Sequence, residues 1–167
     1  MARSPRLRWA GGKSGPSPVD RGKRGVKRSL LTEAAGVPVG LAVAGANEVD
    51  FKLARRTIDS VPVARPTPTK ARPQGVCPDK GYDYLEVWEL LEEFGFTAHV
   101  SVRGADAQPA KRTAGHKARR WVVERTHSWM NRFRGILVRW NKKAENYLAL
   151  LHLVCAAITY RCAGLFG

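Results

Sequence analysis

The chain has 167 residues, 44% of them hydrophobic, and carries 29 Lys and Arg against 14 Asp and Glu, a formal net charge of +15. That length suits one ordinary domain with a real core, and that apolar fraction excludes wholesale disorder. So large a positive excess points to a polyanionic partner, nucleic acid ahead of an anionic membrane, without separating a catalyst from a binder.

Residues 1 to about 25 are basic, rich in Gly, Pro and Ser, and follow neither the helical nor the strand period, so they read as a tail or irregular loop. They lack the apolar run of a signal peptide. Gly12-Lys13-Ser14 imitates the end of a phosphate-binding P-loop. However, Leu7 stands where the first glycine belongs, and Pro16 and Pro18 forbid an immediate helix, which excludes an NTPase. From Val26 to about Gly45 two apolar runs flank Ala34-Ala35-Gly36, the pattern of a β-hairpin. Asp50 is placed to cap a short helix from Phe51 to about Asp59. Between Val61 and Gly75, four prolines with Arg65, Lys70 and Arg72 predict an extended basic loop.

Val76 to Gly81 reads as a strand whose end delivers Asp79 to a loop. A helix follows from about Tyr84 to Phe94, with Tyr84, Leu85, Trp88 and Leu91 as its stripe and Glu86, Glu89, Glu92 and Glu93 on a solvated face. Gly95 suits its end, and Phe96 to Val102 alternates like a strand, with His99 an ordinary strand residue. Cys77 to Val102 is thus a β-α-β unit, which implies a parallel strand pair and a right-handed crossover.

After a polar loop comes a helix from Arg119 to about Arg134. Val122, Thr126, Trp129, Met130 and Phe133 share its apolar face. Glu124 lies two residues, about 200°, from Val122 and points away, with Arg120, His127, Ser128 and Asn131 near it. A lone carboxylate there is either an i,i+4 ion pair with Arg120 on a solvated surface or a metal ligand set in a polyanion-binding face. Ile136 to Trp140 is a short apolar link, strand-like or extended. A last helix runs from about Ala144 to Arg161. Ala144, Tyr147, Leu148, Leu151, Val154, Cys155, Ile158 and Cys162 lie on one face, broadened by Leu150, Leu153 and Ala157.

Cys77, Cys155 and Cys162 are odd in number and form no C-x-x-C pair, so no zinc site is expected, and a reducing cytoplasm fits. Cys155 and Cys162, seven apart, have the spacing of two core thiols. The most apolar run, Tyr147 to Tyr160, holds His152 and is too short to cross a bilayer, so a soluble protein without membrane association is expected. Paired carboxylates such as Asp79 and Glu124 in a basic setting suit Mg²⁺-dependent phosphodiester chemistry, because hard divalent ions take carboxylate oxygens. The surrounding Arg and Lys would hold DNA phosphates without reading bases.

Four stretches occur in one order: Gly15-Pro16-Ser17-Pro18-Val19-Asp20-Arg21-Gly22-Lys23; Gly45-Ala46-Asn47 with Asp50; Asp79-Lys80-Gly81-Tyr82-Asp83; and Arg120-Trp121-Val122-Val123-Glu124-Arg125-Thr126. From Gly11 onward the chain resembles the DDE transposases of bacterial insertion sequences, of the insertion sequence five family. The resemblance implies an α/β fold, an incomplete RNase H-like (retroviral-integrase-like) domain with a mixed sheet flanked by helices. It implies Mg²⁺-dependent cleavage and transfer of DNA strands at the element's ends, followed by joining to target DNA. Asp79 looks like the second of three metal-binding acids and Glu124 like the third. Arg120 matches the Arg four residues before that Glu, whereas Lys117 and Asn131 stand where the family has Tyr and Lys. With Arg125, Arg132 and Arg134, these residues are the expected DNA contacts. The family's first acid precedes the Gly15 stretch, and Met1 to Trp9 contains no Asp or Glu. The expectation is therefore a C-terminal portion: a truncated copy, or a second-frame product that joins an upstream-frame product or the intact transposase. The alternative is an inactive basic DNA-binding remnant or inhibitor. The domains expected are a basic irregular segment at 1–25, a partial catalytic core at 26–142, and an apolar helix packed on it at 143–167. The protein is placed in the cytoplasm, at the nucleoid when bound to DNA.

Overall fold

A computed structural model of the chain describes residues 6–7, 12–18, 21–79, 82–99 and 120–164, with Arg6, Leu7 and Arg120 described through their backbone alone. In chain order the elements are β1 (Arg6–Leu7), β2 (Gly15–Pro16), β3 (Arg24–Thr32), β4 (Pro38–Gly45), α1 (Asp50–Asp59), β5 (Gln74–Val76), α2 (Leu85–Glu93), β6 (Phe96–Ala98), α3 (Arg120–Met130), β7 (Val138–Arg139) and α4 (Ala144–Cys162), with a 3₁₀ turn at Arg134–Ile136. Two compact units result: Met1–Pro62 with Val122–Gly167, and Val63–Trp121.

The first unit is built on the β3–β4 hairpin, paired antiparallel from Val26↔Gly45 to Leu30↔Leu41, with a register shift between Leu31 and Thr32. The start of β3 also pairs antiparallel with β2 and β1, and β1 runs parallel to β7, so the sheet is mixed. This agrees with the expected α/β class. β4 is buried on both faces for a simple reason. Leu41 and Val43 meet Tyr147, Leu151, Val154 and Ile158 of α4 and Met130 of α3. Ala42 and Ala44 meet Leu53 of α1 on the other side. Small residues let α1 approach closely: a Cβ on Gly40 would lie 2.5 Å from the Thr57 carbonyl oxygen. The same alternation turns Val26, Arg28 and Leu30 of β3 toward the α4 side, leaving Lys27 and Ser29 for the α1 side. There Lys27 pairs with Asp50 at 3.0 Å and donates to the Glu48 carbonyl, and the Thr57 and Ser29 hydroxyls lie 2.7 Å apart.

The second unit is the expected β-α-β element. β5 and β6 pair in parallel, Gln74↔Phe96 to Val76↔Ala98, with α2 between them in sequence. Arg65 of the Pro-rich stretch is built into it: its guanidinium lies 4.1 Å from the Phe96 ring centre and donates to Gln74 Oε1 and the Phe94 carbonyl. Gly95 ends α2 at φ 70°, the left-handed conformation that a residue without Cβ takes at no steric cost.

Several expectations are corrected. Val49, not Asp50, is the N-cap of α1, and Asp50 is its first helical residue, its carboxylate turned to Lys27. β5 begins two residues before the expected Val76 and ends three residues before Asp79, which follows it through a short connection. α2 buries Val87, Leu90 and Leu91, whereas Tyr84 is exposed and Leu85 is 71% exposed, because Leu85 lies two residues, about 200°, from Val87 and points away from the inner face. The four glutamates are solvated as expected. On α4 the buried face is narrower than the apolar pattern: Leu153 is 67% exposed, Cys155 half-buried and Cys162 exposed, and all three cysteines are free thiols. The basic N-terminal stretch contributes the short strands β1 and β2 rather than irregular chain alone.

Candidate functional site

α3 is the element that sets Glu124. Val122, Thr126 and Met130 recur at helical spacing and are buried, so the helix has one permitted rotation against the core. That rotation puts Glu124 and Ser128 in solvent. A polar lock fixes it further. The Thr126 hydroxyl, itself wholly buried, lies 2.6 Å from the Gly36 carbonyl oxygen at the hairpin tip. Beside it, Arg125 donates through Nη2 to the Ala35 carbonyl and stacks 4.8 Å from the Trp129 ring centre. Gly36 sits at φ 92°, and a Cβ there would lie 2.9 Å from Arg125 Nη2 and 3.1 Å from Thr126 Oγ1. The glycine is required by its conformation, and an added Cβ would also crowd the Thr126 hydroxyl.

The remaining expected site residues are distributed as follows. Asp79 is exposed beyond β5 and its carbonyl accepts from the Tyr82 N–H at 2.8 Å. It belongs to the second unit, Glu124 to the first. Asn131, Arg132 and Arg134 are exposed in the turn that leaves α3. Arg125 is held within the fold as described. Arg120 opens α3, its side chain outside the described residues, and Lys117 lies outside them altogether. The ion pairs described are Lys27–Asp50 and Arg56–Glu48, neither of which includes Glu124.

His127 departs from the polar face on which helical spacing put it. It is half-buried, and burial, then the neighbouring Arg28 charge, hold it down to about 4, so it is neutral at pH 7. Arg28 faces the core with 7% exposure, and its Nη1 is buried without a hydrogen-bond partner among the described residues. Burial pulls its guanidinium below the usual range and pushes the adjoining Cys155 thiol up to about 11, which leaves that thiol unreactive.

Sequence reasoning missed two cations of structural weight, Arg28 and Arg139. Each interrupts an apolar strand pattern at an inward position, the signal that marks them. As for a metal, two accessible carboxylates have suitable chemistry for a hard divalent ion. Among the described residues, however, no three His, Cys, Asp or Glu side chains gather into a group able to hold one.

Comparison with known proteins bears on what this arrangement is for. A family profile described as "Transposase DDE domain" matches residues 76–161. A protein of Burkholderia cepacia, named as a transposase for insertion sequence element IS402, is 34% identical over 160 residues, spanning 92% of this chain and 71% of that protein. The chain belongs to the DDE transposases of insertion sequences. Both Asp79 and Glu124 fall within the matched transposase domain, as do α3, β7 and nearly all of α4. No solved structure matches this transposase. Among its described residues no helix is long and apolar enough to cross a membrane.

Proposed function

We propose that this transposase chain contributes the acids Asp79 and Glu124 to DNA strand cleavage and transfer at insertion-sequence ends. The observation that carries the reading is the setting of α3. Its buried face and the Thr126–Gly36 contact hold Glu124 in solvent, inside the transposase domain, on a chain with net charge +15. The reading takes residues 26–142 as a partial RNase H-like core, with the helix of 143–167 packed on it. Mg²⁺ is the cofactor it requires, with Asp79 and Glu124 as protein ligands, supplying charge neutralisation at the reacting phosphate. Two carboxylates fall short of a two-metal centre. The reading takes the third acid from an upstream-frame product joined to this chain. Lys117, Arg120, Asn131, Arg132 and Arg134 hold phosphates of the element's end or the target, and Arg125 serves by fixing the helix beneath them. The protein works in the cytoplasm, at the nucleoid when bound.

A second reading is an inactive DNA-binder that inhibits the intact transposase, which the net charge of +15 supports whether or not a metal is held. A nicking assay on element-end DNA with Mg²⁺ separates the two. The chain alone should bind without cutting. Combined with the upstream product, cleavage that Glu124→Gln abolishes supports the catalytic reading, and suppression of the intact enzyme's cleavage supports the inhibitor. Cleavage that survives Glu124→Gln removes Glu124 from the mechanism.

A further inference from the structure

Arg139 is a β7 side chain with 1% exposure, and its fork is spent on three backbone carbonyls. Nε donates to Asn141 at 3.0 Å, Nη2 to Lys142 at 2.9 Å, and Nη1 to Gly12, 127 positions away in sequence, at 2.8 Å. One guanidinium thus ties the loop before β2 to the loop that enters α4. The chain segments it joins are basic. Lys13 follows Gly12, and Lys142 and Lys143 follow Asn141, all three exposed. Arg24, opposite Pro16 in the β2–β3 ladder, reaches Ser14 Oγ at 3.5 Å, so its cation stands beside Lys13. Glu145, in the first turn of α4, is the carboxylate whose charge reaches Arg139. The two loops and the strand beside them therefore carry four exposed cations and one buried one. The start of α4 adds a partial positive charge of the same sign, and its N-cap, Lys143, supplies no side-chain acceptor. A clamp needed only to join two loops has no use for like charges at both of the ends it holds, because their repulsion opposes the closure.

We infer that Gly12–Ser14 and Asn141–Lys143 together form a docking surface for the sugar–phosphate backbone of DNA. Lys13, Arg24 and Lys143 contact phosphates, and Arg139 is the positioning residue that holds the two loops at one spacing. The surface rests on the DNA-binding reading proposed above and adds the place where the strand is gripped. Contacts of this kind carry register and affinity but no base sequence.

Anisotropy of the full chain with a short labelled DNA duplex of arbitrary sequence, titrated from about 50 to about 200 mM salt, tests it. The triple variant Lys13→Gln, Arg24→Gln, Lys143→Gln should weaken binding by roughly two orders of magnitude near 0.1 M salt and flatten the log–log salt slope by about 3. A control triple, Lys52→Gln, Lys70→Gln, Arg72→Gln, removes the same formal charge from exposed positions elsewhere and should change the slope by less than about 1. Equal effects from both triples overturn the surface and leave DNA binding standing, since net charge alone then accounts for affinity. If the unaltered chain ignores the duplex, the DNA reading and the surface fail together. Preference for phosphatidylserine vesicles over duplex, lost in the first triple, also overturns the proposal by assigning the patch to a lipid surface. Should the first triple unfold in a thermal melt, Lys13→Gln and Lys143→Gln singly should each lower the slope by about 1, and an unchanged slope in both counts against it.

Discussion

The wholly buried Thr126 hydroxyl joins the helix that carries Glu124 to the tip of the hairpin, so small changes there test how Glu124 is held. Thr126→Val keeps the shape but leaves the Gly36 carbonyl without this donor. A loss of about 1–3 kcal/mol is expected in urea melts. Gly36→Ala meets both a positive φ and a contact of 2.9 Å to Arg125, and should cost at least as much. His127 offers a test against pH. Its folded-state value is depressed from 6.5 to about 4, so the unfolded chain binds the proton first as pH falls. The stability linked to it is complete above about pH 6.5, declines between about 6.5 and 4, and is lost below that, by up to about 3 kcal/mol. His127→Gln should flatten that window in melts across pH. Arg28→Met, which removes the adjoining charge, should raise the His127 value in an NMR titration without lowering stability, since Nη1 of Arg28 already lacks a partner.

At the scale of elements, the helices separate into buried and exposed faces more sharply than their apolar residues do. Leu151 and Leu153 sit two apart on α4, one buried and the other 67% exposed. Leu151→Ala should cost about 2–5 kcal/mol and Leu153→Ala no more than about 0.5, measured as a shift in urea midpoint at constant slope. The α3 stripe was legible because Val122, Thr126 and Met130 repeat at the helical period, and with it the outward direction of Glu124. The hairpin and the parallel β5–β6 pair were legible for similar reasons, a Gly-containing turn in one and a β-α-β order in the other. The inner face of α2 was not. Apolar residues lie all round that helix, Leu85 about 200° from Val87, and only packing against the rest of the unit decides which of them is buried. Nor did period reveal that Thr126 belongs to the hairpin tip, a contact between residues 90 apart.

Across the whole molecule, charge dominates what can be tested. If DNA is gripped mainly through phosphates, with roughly six of them neutralised, affinity should fall on the order of 10³-fold between about 50 and 200 mM salt. An affinity insensitive to salt would contradict a phosphate-based grip. Composition determined the sign of that charge, and the ordered motifs around Asp79 and Glu124 determined membership of the DDE transposases, because both are properties of the residues in their chain order. Periodicity determined which way Glu124 faces. The tertiary structure alone decided what becomes of the buried cations. Arg28 faces the core without a partner for Nη1, whereas Arg139 binds three carbonyls drawn from opposite ends of the chain. A guanidinium's acceptors need not be its sequence neighbours. Whether burial leaves it strained or makes it a clamp depends on which backbone the fold brings within about 3 Å.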